Sequence, residues 1–154
     1  MKIVLVSFCT EKKPYLLDLG NRFSRYQIPI AGRFRIIDWI ISNAFNIGAD
    51  KIILLEKFFV PQLHDFIKTY VLSSKAPEIK ILPRGEHSIF KDFYAVVKNE
   101  DADFFVLYNG DNPAIADFSG AAKTYRDMNV PTSVFKVFYE KDPGEKFKIL
   151  FARK

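Results

Sequence analysis

The sequence predicts an α/β protein built on a Rossmann-like, doubly wound and mostly parallel sheet. Three observations carry this. Short apolar runs rich in β-branched residues alternate with segments of helical spacing, Gly or Pro punctuates most of the junctions, and the last two runs change to a period of two. A chain of 154 residues is expected to make one domain, large enough to bury a core.

Lys2 to Phe8 is a buried strand by its length and composition. Residues 9 to 33 hold Pro14, Gly20, Pro29 and Gly32 and form a long irregular stretch, of the kind that carries function or stays disordered. Helical spacing starts near Phe34. Ile36, Ile37, Ile40, Ile41, Ala44 and Phe45 form an apolar stripe, and Gly48 supplies the C-terminal cap.

Lys51 to Glu56 is the second strand, and Pro61 opens a helix carrying Leu63, Phe66, Ile67 and Tyr70. Glu78 to Leu82 is a third strand stopped by Pro83. A helix over Ile89 to Lys98, a fourth strand over Phe104 to Tyr108 and a helix from Asp117 to Met128 follow. Two runs of alternating character, Val134 to Glu140 and Phe147 to Phe151, close the chain. They form an antiparallel pair around the turn residues Lys141 to Glu145. Phe147, Ile149 and Phe151 share one face of the last strand. Together with the apolar side of helix 34–48, they are expected to be buried in a homo-oligomer or against a partner chain.

Composition removes several function classes. Hydrophobic residues at 49% and charged ones at 27% exclude a disordered chain, and 16 Phe point to a core built on rings. No apolar run reaches membrane-spanning length, so no membrane partner is expected. The start, Met1-Lys2-Ile3-Val4, reads as a strand and not a signal peptide. A single cysteine, Cys9, forms no internal disulfide and fits a reducing compartment, so a cytoplasmic protein is expected. The net charge of +5 is scattered through pairs such as Lys12-Lys13, Arg22/Arg25 and Arg33/Arg35. Without an aromatic-basic signature this reads as a solvated surface, not a nucleic-acid interface. His64, His87 and Cys9 lack the partners of a metal site or nucleophile and are assigned to surface or packing.

On a sheet of this kind ligands bind at the carboxyl ends of the strands, which singles out two loops. One is the stretch after the first strand. The other is Asn109-Gly110-Asp111-Asn112 after the fourth, where Asp111 could hold a divalent cation or simply belong to a turn. Arg33 and Arg35, just ahead of a helix, are candidates for binding phosphate or for a solvated pair at its start.

The run Ile28-Pro29-Ile30-Ala31-Gly32-Arg33-Phe34-Arg35-Ile36-Ile37-Asp38, continuing through Trp39 to Gly48, resembles the ADP-glucose pyrophosphorylase (glucose-1-phosphate adenylyltransferase) family. Asn109-Gly110-Asp111 followed by Asp117-Phe118 is similar to that family's metal-binding aspartate and the start of its next helix. The resemblance implies the fold of nucleotide-diphospho-sugar transferases, a reaction joining a sugar 1-phosphate to a nucleoside triphosphate with Mg²⁺, and Asp111 as the metal ligand. It also implies nucleotide or phosphate contacts at Gly32, Arg33, Arg35 and Gly110.

The departures point away from catalysis. Ser7-Phe8-Cys9-Thr10-Glu11-Lys12-Lys13 stands where catalytic members carry a glycine-rich loop with an arginine, and no glycine precedes Gly20. Side chains there would block the backbone's approach to a polyanion. Arg25-Tyr26 occupies the family's lysine-proline position, and Lys57 that of a glutamine. The resemblance further implies that residues 1–154 are one partial nucleotidyltransferase-like domain with no C-terminal β-helix. The missing loop is similar to the family's non-catalytic glycogen-biosynthesis subunit. The expected role is therefore a regulatory or assembly partner of a catalytic pyrophosphorylase subunit, with no catalytic residue assigned. An active sugar-1-phosphate nucleotidyltransferase, and a module binding a nucleotide sugar or nucleic acid, are the alternatives.

Overall fold

The computed structural model describes residues 1–9, 24–30, 32–57, 60–70, 76–85, 88–110, 118–128, 132–139 and 142–153; for residues 30, 118, 121 and 132–153 it describes the backbone alone. The central strand is β1 (Ile3–Phe8). It runs parallel to β4 (Lys51–Glu56) on one side and β6 (Phe104–Asn109) on the other. Beyond β4 lies β5 (Glu78–Pro83), also parallel. Beyond β6 lie β8 (Asp142–Arg153) and then β7 (Thr132–Tyr139), each antiparallel to its neighbour. The sheet order is β5-β4-β1-β6-β8-β7.

Among the described residues, four α-helices connect these strands: α1 (Ile36–Ile47), α2 (Pro61–Tyr70), α3 (Ile89–Asn99) and α4 (Phe118–Met128). One core packs α1, α2 and α4 against Ile3, Leu5, Ile52, Leu54, Phe104, Val106 and Tyr108. A second packs Phe93 and Val96 of α3 on the opposite face, against Val4, Val6, Ile53, Leu55, Phe105 and Leu107. The face changes because the chain first winds outward from β1 to β5 and then returns past β1 to β6. A right-handed crossover in the reverse direction puts its helix on the other side. This is why β1, β4 and β6 read as continuous apolar runs: both faces are covered. Each fully buried Val, Leu or Ile there contributes about 1.5–3 kcal/mol.

Local chemistry sets the ends of α1. Asp38 Oδ2 accepts the Arg35 N–H at 2.7 Å and closes the first turn. At the other end Gly48 takes φ 68°, and Ala49 N–H donates to Ala44 O at 2.9 Å. The amino edge of the sheet is fastened by carboxylates. Ile3 N–H donates to Asp50 Oδ2 and Lys2 N–H to Asp103 Oδ2, both at 2.8 Å.

Four readings of the sequence change. The helix expected from Phe34 starts at Ile36, because Phe34–Arg35 is a short strand, β3, paired antiparallel with β2 (Pro29–Ile30). Gly32, at φ 80°, lies in the turn between them. Second, the residues read as a closing loop largely belong to β8, which begins at Asp142. The ladder skips there, with Phe138 opposite Lys146 and Tyr139 opposite Asp142, so Pro143 and Gly144 fall in an irregularity that needs no regular ladder bond. Third, Ile36, Ile37, Ile40, Ile41 and Ala44 of the α1 stripe are already buried in the chain's own core, while Phe45 is half-exposed. Fourth, among the described residues β8 is an interior strand with β6 and β7 on its two sides, so β5 and β7 form the edges; the side chains of Phe147, Ile149 and Phe151, and with them the face expected to be buried, lie outside what is described.

Candidate functional site

The carboxyl ends of β1, β4 and β6 meet where the winding reverses, the place at which doubly wound sheets take ligands. At the β1–β6 side, Gly110 N–H donates to Phe8 O at 2.7 Å and ties the two strand ends together. Gly110 is buried, and a Cβ on it would meet Ser7 Oγ at 3.1 Å, Cys9 Sγ at 3.2 Å and Ile40 Cδ1 at 3.3 Å. Glycine is needed here for close approach. Its amide is spent on β1, so its place in the site is to let the loop after β6 start flush against Ser7 and Cys9. Ser7 is fully buried, and its hydroxyl has no hydrogen-bond partner among the described residues. Asp111, the proposed cation ligand, lies outside the described residues.

At the β1–β4 side, a short helical turn over Arg25–Gln27 covers the strand ends. Tyr26 is fully buried, and its hydroxyl lies 2.9 Å from Ser7 O and 3.2 Å from Leu55 O. Ser24 Oγ accepts Tyr26 N–H at 3.3 Å and donates to Glu56 Oε2 at 3.0 Å. Burial pushes the Glu56 carboxyl up to about 7, against the smaller opposing pull of the Ser24 hydrogen bond and the Arg25 charge. At the end of β5, Arg84 Nη1 donates to Cys9 O at 3.2 Å while its Nε lies 3.8 Å from Asp92 Oδ2 of α3. Arg84 therefore braces the chain leaving β1 against α3.

The other candidates sit around the start of α1. Gly32 and Arg33 are exposed in the β2–β3 turn, with open space where a Gly32 side chain would stand. The Arg35 guanidinium lies over the Phe66 ring, 4.5 Å from its centroid, and Asp38 supplies a carboxylate to the first turn. This terminus thus already carries an anion of its own, which competes with any phosphate drawn to the helix dipole. Among the described residues no three His, Cys, Asp or Glu side chains come together in a way that could hold an ion; His87 lies outside those residues.

Sequence reasoning noted Arg25-Tyr26 as a departure but did not foresee that Tyr26 would root in two strand-end carbonyls. Ser24, Glu56 and Arg84 were missed altogether. The available signal for Glu56 was an acid closing an otherwise apolar strand, Ile52 to Leu55.

The comparisons with known proteins bear on the fold. Solved structures of similar shape include CMP:2-keto-3-deoxy-manno-octonic acid synthetase complexed with CTP, with TM-score 0.64, 14% identity and coverage of 99% of this chain and 74% of that one. UDP-glucose pyrophosphorylase complexed with UDP-glucose gives TM-score 0.67 at 9% identity, covering 97% of this chain and 76% of that one. The fold is a nucleotidyltransferase fold. In sequence, the chain is similar to glucose-1-phosphate adenylyltransferase of Bacillus thuringiensis (strain Al Hakam), 22% identical over 163 aligned positions. That match covers 97% of this chain and 43% of the relative. The same enzyme of Jannaschia sp. (strain CCS1) is 22% identical over 136 positions, covering 77% of this chain and 32% of the relative. The chain thus spans less than half the length of the curated relatives it matches. No family model matches the sequence. No described helix is long and apolar enough to cross a membrane.

Proposed function

We propose that this chain is a non-catalytic, adenylyltransferase-like protein that serves as a regulatory or assembly partner in glycogen biosynthesis, in the cytoplasm. The supporting observation is a retained fold with altered nucleotide-side loops. The segment after β1 has neither glycine nor arginine through Lys13, and at the position of the family's lysine-proline pair Tyr26 seats itself on the carbonyls of Ser7 and Leu55. Nucleotidyl transfer rests on positioning phosphates with backbone donors and cations, and losing one such donor typically costs about a hundred- to a thousandfold. Several such losses together put turnover below detection. Residues 1–154 are read as one partial nucleotidyltransferase-like domain.

The partner is a catalytic pyrophosphorylase subunit or a second copy of this chain. Since most of the α1 stripe is internal, the exposed apolar surface open to such a partner includes Phe45 on α1 with Phe34 beside it, and Phe90 and Tyr94 on α3. A nucleotide or sugar phosphate that still binds would be held by Arg33, Arg35 and the turn at Gly32, with Asp111 as the carboxylate for Mg²⁺.

Similarity to an adenylyltransferase over 97% of the chain supports a second reading, an active sugar-1-phosphate nucleotidyltransferase. One assay separates the two: pyrophosphate release from ATP and glucose 1-phosphate with Mg²⁺ at high protein concentration, on wild type and Asp111→Asn. No release is expected from either protein. Turnover that disappears in Asp111→Asn would establish the enzyme and overturn the regulatory reading.

A further inference from the structure

We propose that the α3 side of the sheet carries a binding ledge for single-stranded nucleic acid, with Phe90, Tyr94 and Lys98 as its wall and the lysines of β7 and β8 as its floor. The wall follows from the helix. Phe93 and Val96 turn α3 inward against β1, β4 and β6. Asp92 sits on the β5 flank of the helix, 3.8 Å from Arg84. Phe90 and Tyr94 each stand two residues from Asp92, which is about 200° round at about 100° per residue, so both lie on the flank toward β6 and β8. They are 61% and 68% exposed, and Lys98 continues the row one turn after Tyr94. The neighbouring acids keep to the other flank: Asp92 meets Arg84, and Glu100, just past the helix, meets Lys51 of β4 and Lys80 of β5.

The floor follows from the register. Phe105 and Leu107 of β6 pack on the α3 side, and their partners on β8 are Ala152 and Leu150. Continued through β8 and β7, the alternation places Lys146, Lys148 and Lys136 on that same side, with no acid at the register positions between them. Among the described residues no helix besides α3 packs on this side, since α1, α2 and α4 belong to the other core. These lysines are scattered in sequence, which is why the charge read there as a solvated surface; antiparallel pairing gathers them. Lys136 stands directly opposite Lys148, and like charges opposite one another destabilise a ladder. A polyanion lying along the two strands relieves that repulsion.

A row of cations with exposed rings along one side has the two parts that single-strand binding needs. The lysines track phosphates, and each ring takes a base by stacking, whatever the base. A duplex keeps its base faces stacked on one another and offers the rings nothing. The ledge rests on the fold and not on the proposed regulatory role. It leaves Phe34 and Phe45, on the α1 side of the sheet, to a protein partner.

Fluorescence anisotropy of the full chain with labelled oligo-dT and oligo-U of about twelve nucleotides tests it. The logarithm of the affinity should fall linearly with the logarithm of salt concentration, with a slope of about −3 for four lysines at about 0.7 each. Lys148→Gln should make the slope shallower by about 0.7, and Lys98→Gln, on the exposed helix, does the same should the β8 variant fold poorly. Tyr94→Ala should weaken binding about fivefold or more at an unchanged slope, because stacking releases no counterions. Lys123→Gln, exposed on α4 at the other side of the sheet, should change neither affinity nor slope. A duplex of the same length should bind more weakly than either single strand. Binding of either oligonucleotide with this pattern supports the ledge, and their ratio reads its preference for ribose or deoxyribose. No binding at about 100 µM protein in low salt would overturn it. So would lysine and tyrosine variants that bind as wild type does, or binding to phosphatidylserine vesicles in place of the oligonucleotides.

Discussion

Tyr26 places its hydroxyl 2.9 Å from the carbonyl oxygen of Ser7, 19 residues earlier in the chain, and so roots the segment before the β2–β3 hairpin in the end of the central strand. The same hydroxyl lies 3.2 Å from Leu55 O of the neighbouring strand. One side chain thus fastens two strand ends and occupies the position that the resemblance assigns to the second residue of a lysine-proline pair.

Tyr26→Phe keeps the ring and removes the donor. A buried acceptor that loses its donor costs about 1–3 kcal/mol, so urea unfolding should report a loss of that size. Tyr26→Ala also opens a cavity against the α1 side of the sheet, and a loss of about 3–5 kcal/mol is expected. Equal stability of wild type and Tyr26→Phe would show that the hydroxyl contacts contribute nothing net.

Gly110→Ala tests the close approach at the β1–β6 side. Its Cβ would stand 3.1 Å from Ser7 Oγ, 3.2 Å from Cys9 Sγ and 3.3 Å from Ile40 Cδ1, tighter than ordinary contact. Overpacking of this kind costs about 1–3 kcal/mol. Ile40→Val withdraws Cδ1 and should recover part of it, so the double mutant should be more stable than the sum of the single changes predicts. Strict additivity would mean that Ile40 is not what the added methyl meets.

Much of the fold was legible because its elements are long and each obeys one period. The six strands of the main sheet and four helices were all anticipated as elements, and Gly48 ends α1 as a cap should. What escaped was short or remote. β2 and β3 have two residues each, too few for any pattern to register, and the irregular stretch hid them. The Tyr26 contacts bridge 19 and 29 residues, and no local rule links Tyr26 to Ser7 or Leu55. Glu56 was read as the polar end of a strand. Its hydrogen-bond donor is Ser24, which lies 32 residues away.

The metal reading at Asp111 has a separate check. Asp103 cannot assist it, because Asp103 precedes β6 at the amino edge and receives Lys2 N–H there. A single carboxylate makes a weak cage. Calorimetry with Mn²⁺ should show weak heats for wild type that vanish in Asp111→Ala. Equal heats in the two proteins, or none in either, would remove the metal role.

At the amino edge the chain carries an ion network with a definite pH signature. Glu100, at the end of α3, meets Lys51 Nζ at 2.9 Å and Lys80 Nζ at 3.0 Å, and Lys51 also lies 3.3 Å from Glu78. The hydrogen bond from Lys51, then that from Lys80, holds the Glu100 carboxyl below its ordinary range, and Glu100 in turn raises Lys51. A carboxyl lowered by folding contributes stability that is present above its unfolded value and is lost as pH falls through its folded one. For Lys51 the sign reverses: its contribution is present below the ordinary lysine value and fades as pH rises above it. Glu100→Gln should therefore destabilise the protein by about 1 kcal/mol near neutral pH, and the difference from wild type should shrink on acidification below the ordinary glutamate range. Raising salt should shrink it less than it would for the exposed Asp65–Lys68 pair, because Lys51 and Glu100 are each only 14% exposed. Urea unfolding of both proteins across pH 3 to 8 measures this, and a difference independent of pH would show that Glu100 acts through packing and not through its charge.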